Sequence, residues 1–414
     1  MVIYRDRVAL EELERLLAWR SGSVEINELR ARVSGARVCI DGCWGIASVQ
    51  GEASGSRLEE LARIAEKVAR SQSSCPGLSD AKLFTGSARV GAEVISLDRA
   101  LDAVQSLCSE AREQGVEDCE VTVLHRVVRR RIERDDGAAE DSRSWIEVEV
   151  GLRRGRSYGA WSACSICWGE SSAERVVEEA FRAALRVLAS SERAAPLHPF
   201  DAGRATIVLD PVAAAALAHE VSHLLAPPLG NGLLGAKIGS EDLTLIDDPS
   251  MMGLPSSRLF DDEGVECRRR TLIEGGAVVD LHSTRETAQS VGTSPGSAHG
   301  LFTKPVPFHS TLVLQPGDWR FREIIEETRR GYLVTGVAMA TLESGYVRIV
   351  PLASYRIERG ELARPMRIRS VRIPIKALRT IDAIGRELRA RHSYEKSWLV
   401  MELAPAIRLQ GYVE

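Results

Sequence analysis

Several things are scarce or missing in this 414-residue sequence, and each narrows the options. No stretch approaches the roughly eighteen consecutive apolar residues of a membrane-spanning helix. The opening Met1-Val2-Ile3-Tyr4-Arg5-Asp6-Arg7 lacks the apolar core of a secretory signal. The expectation is therefore a cytoplasmic protein with no membrane association. Low-complexity tracts are absent too, so the composition is that of an ordinary globular chain, long enough for two or three domains. Neither sign of charge dominates: 54 basic residues face 58 acidic ones, a net charge of −4. That balance argues against a nucleic-acid footprint over the whole protein. Lysine is rare, 6 residues against 48 arginines, which reflects genome composition or a hot habitat and says nothing firm about chemistry. Of the eight cysteines, Cys164-Ser165-Ile166-Cys167 form a lone CxxC with no second pair at zinc-ribbon spacing. Cys164 and Cys167, like Cys39 and Cys43, read as small apolar residues lining strands, a redox role for the CxxC pair being the alternative.

What is present organises into an α+β chain. Residues 11–19 read as a short amphipathic helix. Residues 24–33 and 37–49 read as strands, turning at Ser34-Gly35 and again near Asp41-Gly42. Residues 58–71 then carry Leu58, Leu61, Ile64, Ala65 and Val68 at helical period. The order recurs, with helices at 97–114 and 172–191 flanking strands at 119–132 and 145–163. Helix–strands–helix twice over predicts a duplicated α+β unit with an antiparallel sheet. Residues 194–199 form the natural linker, so the expected division is an N-terminal domain over 1–195 and a C-terminal domain over 196–414. The second part is richer in strand, at 271–273, 277–281, 311–314, 345–353 and 366–373, with helices at 318–330 and 375–391.

One motif carries a complete chemical proposal. His219-Glu220-Val221-Ser222-His223 places two imidazoles one helical turn apart, able to grip a single zinc ion. Glu220 stands beside them to take a proton from water. The flanks favour a helix. Thr206–Leu209 is a short β-branched strand, Asp210 suits the N-cap, Pro211 suits the first helical position, and an alanine-rich run follows. A hydrolytic zinc site ordinarily has a third protein ligand. The extension HExxHxxGxxH is missing, because Ala226 and Leu229 occupy its last two positions. Glu241 or Asp242 could supply a downstream carboxylate. Spacing alone does not choose among these and the remaining histidines, His125, His198, His282, His299, His309 and His392.

The residues from Thr206 onward resemble the TldD/PmbA family, known as modulators of DNA gyrase and understood as metalloproteases. The resemblance rests on Leu217-Ala218-His219-Glu220-Val221-Ser222-His223, on Asp261-Asp262-Glu263-Gly264-Val265-Glu266-Cys267, and on Thr271-Leu272-Ile273-Glu274-Gly275-Gly276. Further matches are Gly292-Thr293-Ser294-Pro295-Gly296, Leu314-Gln315-Pro316-Gly317-Asp318, Glu343-Ser344-Gly345 and Glu358-Arg359-Gly360-Glu361 before Arg364-Pro365. They cover about half the chain in the family's order. The resemblance implies a zinc protease whose helix supplies two histidines and a glutamate, with a cysteine near the C-terminus as third ligand. This sequence departs from it twice. Many members place one more residue between the glutamate and the second histidine, and no cysteine lies after Cys267. Aligning the C-terminal stretch puts His392 where that cysteine falls, which implies His219, His223 and His392 as ligands. Cys267 and Glu241 are the alternatives.

The resulting expectation is a zinc-dependent peptidase acting on peptides or unfolded segments, with Glu220 as general base. The resemblance also implies pairing with a related, metal-free subunit, or a homodimer. A non-catalytic partner subunit or peptide-binding scaffold is the second reading, favoured by the altered spacing and the missing cysteine. A third, nucleic-acid binding through Arg126-Val127-Val128-Arg129-Arg130-Arg131, is weaker. Acidic residues follow that run at once, and its alternation reads as the solvated face of a strand.

Overall fold

The computed structural model describes residues 3–20 and 22–414. Met1, Val2 and Ser21 lie outside the described residues. The chain begins with a meander: β1 (Ile3–Arg20), β2 (Ser23–Ile40) and β3 (Cys43–Gln50), followed by helix α1 (Gly55–Arg70). After β4 (Gly86–Val90) and α2 (Asp98–Glu113), the same pattern returns. It comprises β5 (Asp118–Arg134), β6 (Gly137–Arg154), β7 (Ser157–Ile166) and α3 (Glu170–Arg193). The repeat is thus three antiparallel strands and a helix, where the sequence predicted helix–strands–helix.

The difference lies at residues 11–19, which are strand rather than helix. Leu10, Leu13, Leu16 and Leu17 offer helical spacing, but this segment pairs with β2 on one side and β5 on the other along nearly its whole length. Two full ladders outweigh a local preference. Likewise β2 runs straight through Ser34-Gly35 and turns only at Asp41-Gly42, while the predicted 145–163 strand divides at a turn between β6 and β7. The sheet order is β3-β2-β1-β5-β6-β4, with β7 also on β6. Helices α2 and α3 cover one face, where Val104, Val177, Phe181 and Ala184 pack on Leu17, Val121, Val123, Ile146 and Val148.

Two glycines at matching places in the repeat show why each helix lies so close. A Cβ on Gly45, third in β3, would stand 1.8 Å from the Ala65 carbonyl oxygen of α1. One on Gly159, third in β7, would stand 2.3 Å from the Ala184 carbonyl oxygen of α3. Cysteine also serves this half: Cys43 is bonded to Cys75 and Cys108 to Cys119, whereas Cys39, Cys164 and Cys167 are free thiols. Cys43 is therefore a cross-link rather than a simple strand filler.

Beyond α3 the regular structure is mostly strand. Gly203–Leu209, Arg330–Glu343, Tyr346–Glu358, Val371–Pro374 and Ile407–Val413 form a sheet that closes on itself, because Arg330–Glu343 pairs with both Gly203–Leu209 and Tyr346–Glu358. A six-stranded sheet runs in the order Ala277–Val278, Arg270–Glu274, Leu245–Asp247, Thr311–Leu314, Trp398–Ala404 and Arg389–Glu395. The helix expected at 318–330 shortens to Phe321–Glu326. The one expected at 375–391 is absent. A 3-10 turn at Ile375–Thr380 gives way to extended chain, since the 383–384 and 389–395 backbones are taken up by strand pairing. Among the described residues no helix is long and apolar enough to cross a membrane.

Between the closed sheet and the six-stranded sheet lies α4 (Pro211–Ser222). Every residue from Ala213 to Ser222 is buried, as befits a helix that is apolar on all sides. The alanine run lets strands approach from several directions. Asp210 caps the helix, accepting the Ala213 N–H at 2.8 Å and also the Gly336 N–H at 3.0 Å. A cap of this kind contributes about 1 kcal/mol.

Candidate metal centre

His219 occupies the last turn of α4, and His223 follows at its C-cap. The two rings lie edge to face with centroids 5.3 Å apart, so the i, i+4 spacing does bring both imidazoles to one place. The third donor beside them is Glu395, near the end of the Arg389–Glu395 strand. Ligand atoms of His219, His223 and Glu395 lie within 4.8 Å of one another, with Glu395 Oε2 at 3.8 Å from His223 Nε2. His219 is only 8% exposed, but His223 and Glu395 are 30% and 25% exposed, so this group opens on one side. An accessible position is what a hydrolytic centre needs. Burial, and the neighbouring His219, push the His223 pKa down, which favours the neutral ring that can ligate a metal.

Behind the pair stands a residue that sequence reasoning missed. Glu402 is fully buried on the Trp398–Ala404 strand. Its Oε1 lies 2.7 Å from His219 Nδ1, 2.7 Å from the Ser393 hydroxyl and 3.3 Å from His309 Nε2, and its Oε2 accepts from Arg391 at 2.9 Å. Burial alone would raise its pKa, but Arg391 and the bonds from the two histidines outweigh burial and hold it well below the usual carboxylate range. A carboxylate on Nδ1 fixes the His219 ring and reserves Nε2 for the open side. His219, His309 and Glu402 also form a compact donor group. That group is sealed, and the Arg391 cation already sits on its carboxylate. A bound cation there would meet like charge and no substrate. The half-open group is the better metal centre.

Glu220 is 9% exposed, and its Oε2 accepts the Leu342 N–H at 2.7 Å, an anchor supplied by the end of the Arg330–Glu343 strand. Around Phe308 gather five of the eight histidines. The rings of His219, His223, His282, His299 and His309 lie between 4.2 and 6.5 Å from it. Burial pushes the His309 pKa down to about 3 and those of His282 and His299 well below the ordinary range. Burial thus favours the neutral form of the rings of His282, His299 and His309.

The structure does not bring His392 to this place. In the Arg389–Glu395 strand, Arg391, Ser393 and Glu395 share the face toward α4, so His392 points to the opposite face, where Glu147 of β6 is its first favourable charge. The other sequence candidates are also elsewhere. Glu241 is a surface residue paired with Lys237, and Cys267 is buried with Sγ at 3.6 Å from the Gly296 carbonyl. A lone charged residue inside Trp398-Leu399-Val400-Met401-Glu402-Leu403-Ala404, an otherwise apolar strand, is the signal that could have disclosed Glu402. Glu395 had no such signal, since it stands between Tyr394 and Lys396 with no apolar run around it.

A helix-borne pair of histidines, a carboxylate completing the donor set and a second carboxylate orienting one ring together define a candidate metal centre of the hydrolytic type. Comparison with known proteins identifies the family. Residues 202–411 match the model of the PmbA/TldA metallopeptidase C-terminal domain, and the chain belongs to that family. A metalloprotease of Methanocaldococcus jannaschii is 31% identical over 207 residues, covering 47% of this chain and 46% of that protein. A zinc metalloprotease TldD homolog of Saccharolobus solfataricus is 29% identical over 195 residues, 44% of this chain and 43% of that protein. The chain thus spans about half the length of the curated relatives it matches. Two solved structures share the fold over nearly the whole chain. A protein of Thermotoga maritima described as a modulator of DNA gyrase has a TM-score of 0.77 at 20% identity, covering 100% of this chain and 96% of that one. TldE from Thermococcus kodakarensis has a TM-score of 0.75 at 18% identity, covering 99% and 96%.

Proposed function

We propose that this chain is a zinc-dependent peptidase acting on peptides or unfolded segments. The observation that carries the reading is the half-open His219–His223–Glu395 group, with Glu220 on the same helix. Its donor set suits zinc: two imidazoles, of which burial favours the neutral form of His223, and one carboxylate, with one side left for water and substrate. Glu395 takes the third position here, in place of the His392 expected from the family alignment. When bound, zinc would lower the pKa of a water toward ~7 and polarise the scissile carbonyl. Glu220, anchored by the Leu342 N–H, accepts the proton of the attacking water and returns it to the leaving amine. Glu402 keeps His219 in one tautomer and orientation throughout.

The chain divides near residue 195 into an N-terminal domain and the metal-bearing one. It works in a pair, with a related metal-free subunit or with a second copy, in the cytoplasm and without nucleic acid. The test compares wild type with Glu220→Gln for zinc content and for cleavage of an unstructured protein such as casein. Zinc near one per chain in both, with turnover lost only in the variant, is the expected result. Equal turnover in a clean preparation of the variant sinks the general-base assignment.

A second reading, the non-catalytic partner, is favoured by the altered spacing between Glu220 and His223 and by the missing thiolate: no cysteine follows Cys267. Absence of zinc from wild type after zinc has been supplied would turn the assignment to that reading.

A further inference from the structure

The Arg389–Glu395 strand is held from two sides. Its metal face offers Arg391, Ser393 and Glu395, and alternation turns Tyr394 toward the N-terminal sheet together with His392. There the Tyr394 hydroxyl donates to Glu147 Oε1. Arg126 Nη1 donates to the same hydroxyl at 3.1 Å, and its guanidinium carbon stands 5.5 Å from the Tyr394 ring centroid. Those two partners are themselves fixed. The Trp145 indole donates to Glu147 at 2.5 Å, and Arg126 is paired with Glu14 at 2.7 Å. Strands β1, β5 and β6 therefore converge on one tyrosine.

The need for such a pin follows from the strand's position. Arg389–Glu395 is the last strand of its sheet and, among the described residues, pairs only with Trp398–Ala404. Glu395 is its terminal residue, next to a turn in which Lys396 has φ 56°. A short edge strand ending in a turn is where fraying begins. A ligand must nevertheless be held within about 0.5 Å of its working position.

We propose that Tyr394 is a positioning residue for the metal centre. Bound to Glu147 and Arg126, it fixes through one strand where Ser393 and Glu395 stand relative to His219 and His223. The N-terminal sheet is then part of the centre's scaffold. This rests on the metallopeptidase reading. Tyr394 is 37% exposed, and a hydrogen bond at so wet a place adds little to global stability. Its effect belongs on the ligand rather than on the fold.

Tyr394→Phe keeps the ring over Arg126 and removes only the hydroxyl, with its bonds to Glu147 and Arg126. Glu147→Ala removes the acceptor, and Glu147→Gln retains one. Three quantities are measured on each full-length variant: zinc affinity by competition with a chromogenic chelator, amide exchange across residues 389–396 in zinc-free protein, and the thermal midpoint. Zinc binding in Tyr394→Phe and in Glu147→Ala should weaken about 10-fold, near the lower end of outer-shell effects. Their double variant should be no weaker than the weaker single, because the pair acts as a unit. Glu147→Gln should recover most of the affinity. Exchange should quicken over 389–396 alone, with the midpoint little changed. Zinc affinity within twofold of wild type in Tyr394→Phe overturns the proposal, as does a weakening that comes with faster exchange throughout the chain. If wild type takes no zinc, the metallopeptidase reading falls and the exchange arm decides the pin by itself. Unchanged exchange in Tyr394→Phe then overturns it, and local acceleration supports it.

Discussion

Two buried polar clusters lie in this molecule, and they handle charge in opposite ways. Around α4, the rings of His282, His299 and His309 are held neutral by burial. The innermost anion, Glu402, is spent on orienting a histidine. Where the N-terminal sheet meets the Asp261-Asp262-Glu263-Gly264 loop, charge is instead paired at once. Arg37 is 0% exposed, with Nε and Nη2 on the two Asp6 oxygens at 2.8 and 2.5 Å. Arg130 bonds Asp141 at 2.7 Å and the Phe260 carbonyl at 2.8 Å, and it also pairs with Asp262. The first cluster keeps lone pairs available for a ligand. The second uses its buried arginines and the aspartates they pair with to join two parts of the chain. Burial and a perturbed pKa are common to both, so neither property alone marks the functional site. Unspent ligand capacity on an open side does.

The comparison breaks most sharply at Arg130. In Arg130→Met the side-chain volume survives, but Asp141 and Asp262 lose the cation that binds both, leaving Arg143 at 3.9 Å from Asp141 and the field of Arg258 on Asp262. Removing one partner of a buried pair costs about 3–5 kcal/mol. Urea unfolding should show a loss of that order, while the fraction that remains folded binds zinc as wild type does. A zinc affinity that falls in parallel would mean the two clusters are one.

On the metal side, the sharpest contrast is between two residues of one strand. Glu395→Ala should weaken zinc at least 100-fold, and His392→Ala should leave it within about threefold, because strand alternation separates them. The reverse result would restore the three-histidine set. Behind them, Glu402→Gln keeps the shape but removes the charge that steadies His219. The expected cost is a 10- to 100-fold loss of zinc affinity, the range usual for such supporting carboxylates. Affinity equal to wild type would make Glu402 merely a buried acid.

How much of this could be read in the sequence depended on how local each signal was. The His219/Glu220/His223 helix, its Asp210 cap and its β-strand lead-in were legible, because cap, proline and i, i+4 spacing lie within eighteen residues of chain. The α+β class and the repeat were legible as a pattern of elements. The strand nature of residues 11–19 was not, since it depends on ladders to residues 23–40 and 118–134. Nor was Glu395, or the inward turn of Arg130, which had read as one arginine of a solvated strand face. Both are decided by which way a strand faces once distant segments have docked. His392 and Glu395 are three residues apart in sequence yet on opposite faces, and an alignment shift of one position exchanges one face for the other.

The smallest effect concerns pH, and it distinguishes acids within the junction itself. Glu263 is 1% exposed, and burial, reinforced by Asp261, pushes its pKa up to about 8. Its raised pKa means that the folded state holds the proton more tightly than the unfolded state does. Its contribution to stability is therefore complete below the unfolded value, near 4.3, and is lost as pH rises through about 8. Asp262 behaves oppositely. Burial works against its charge, but Arg130 and Arg258 prevail and hold its pKa below the usual range, so its contribution is present at neutral pH and is lost in strong acid. Glu263→Gln keeps an acceptor for the Arg285 N–H, now bonded at 2.7 Å, and cannot ionise. Relative to wild type it should gain about 1–2 kcal/mol between pH 5 and pH 9, with the gap levelling off above that. Urea midpoints of the zinc-free proteins at a series of pH values measure it. A gap that stays constant with pH would show Glu263 already ionised in the folded chain. It would then belong with the paired charges of the junction rather than among the groups that burial keeps neutral.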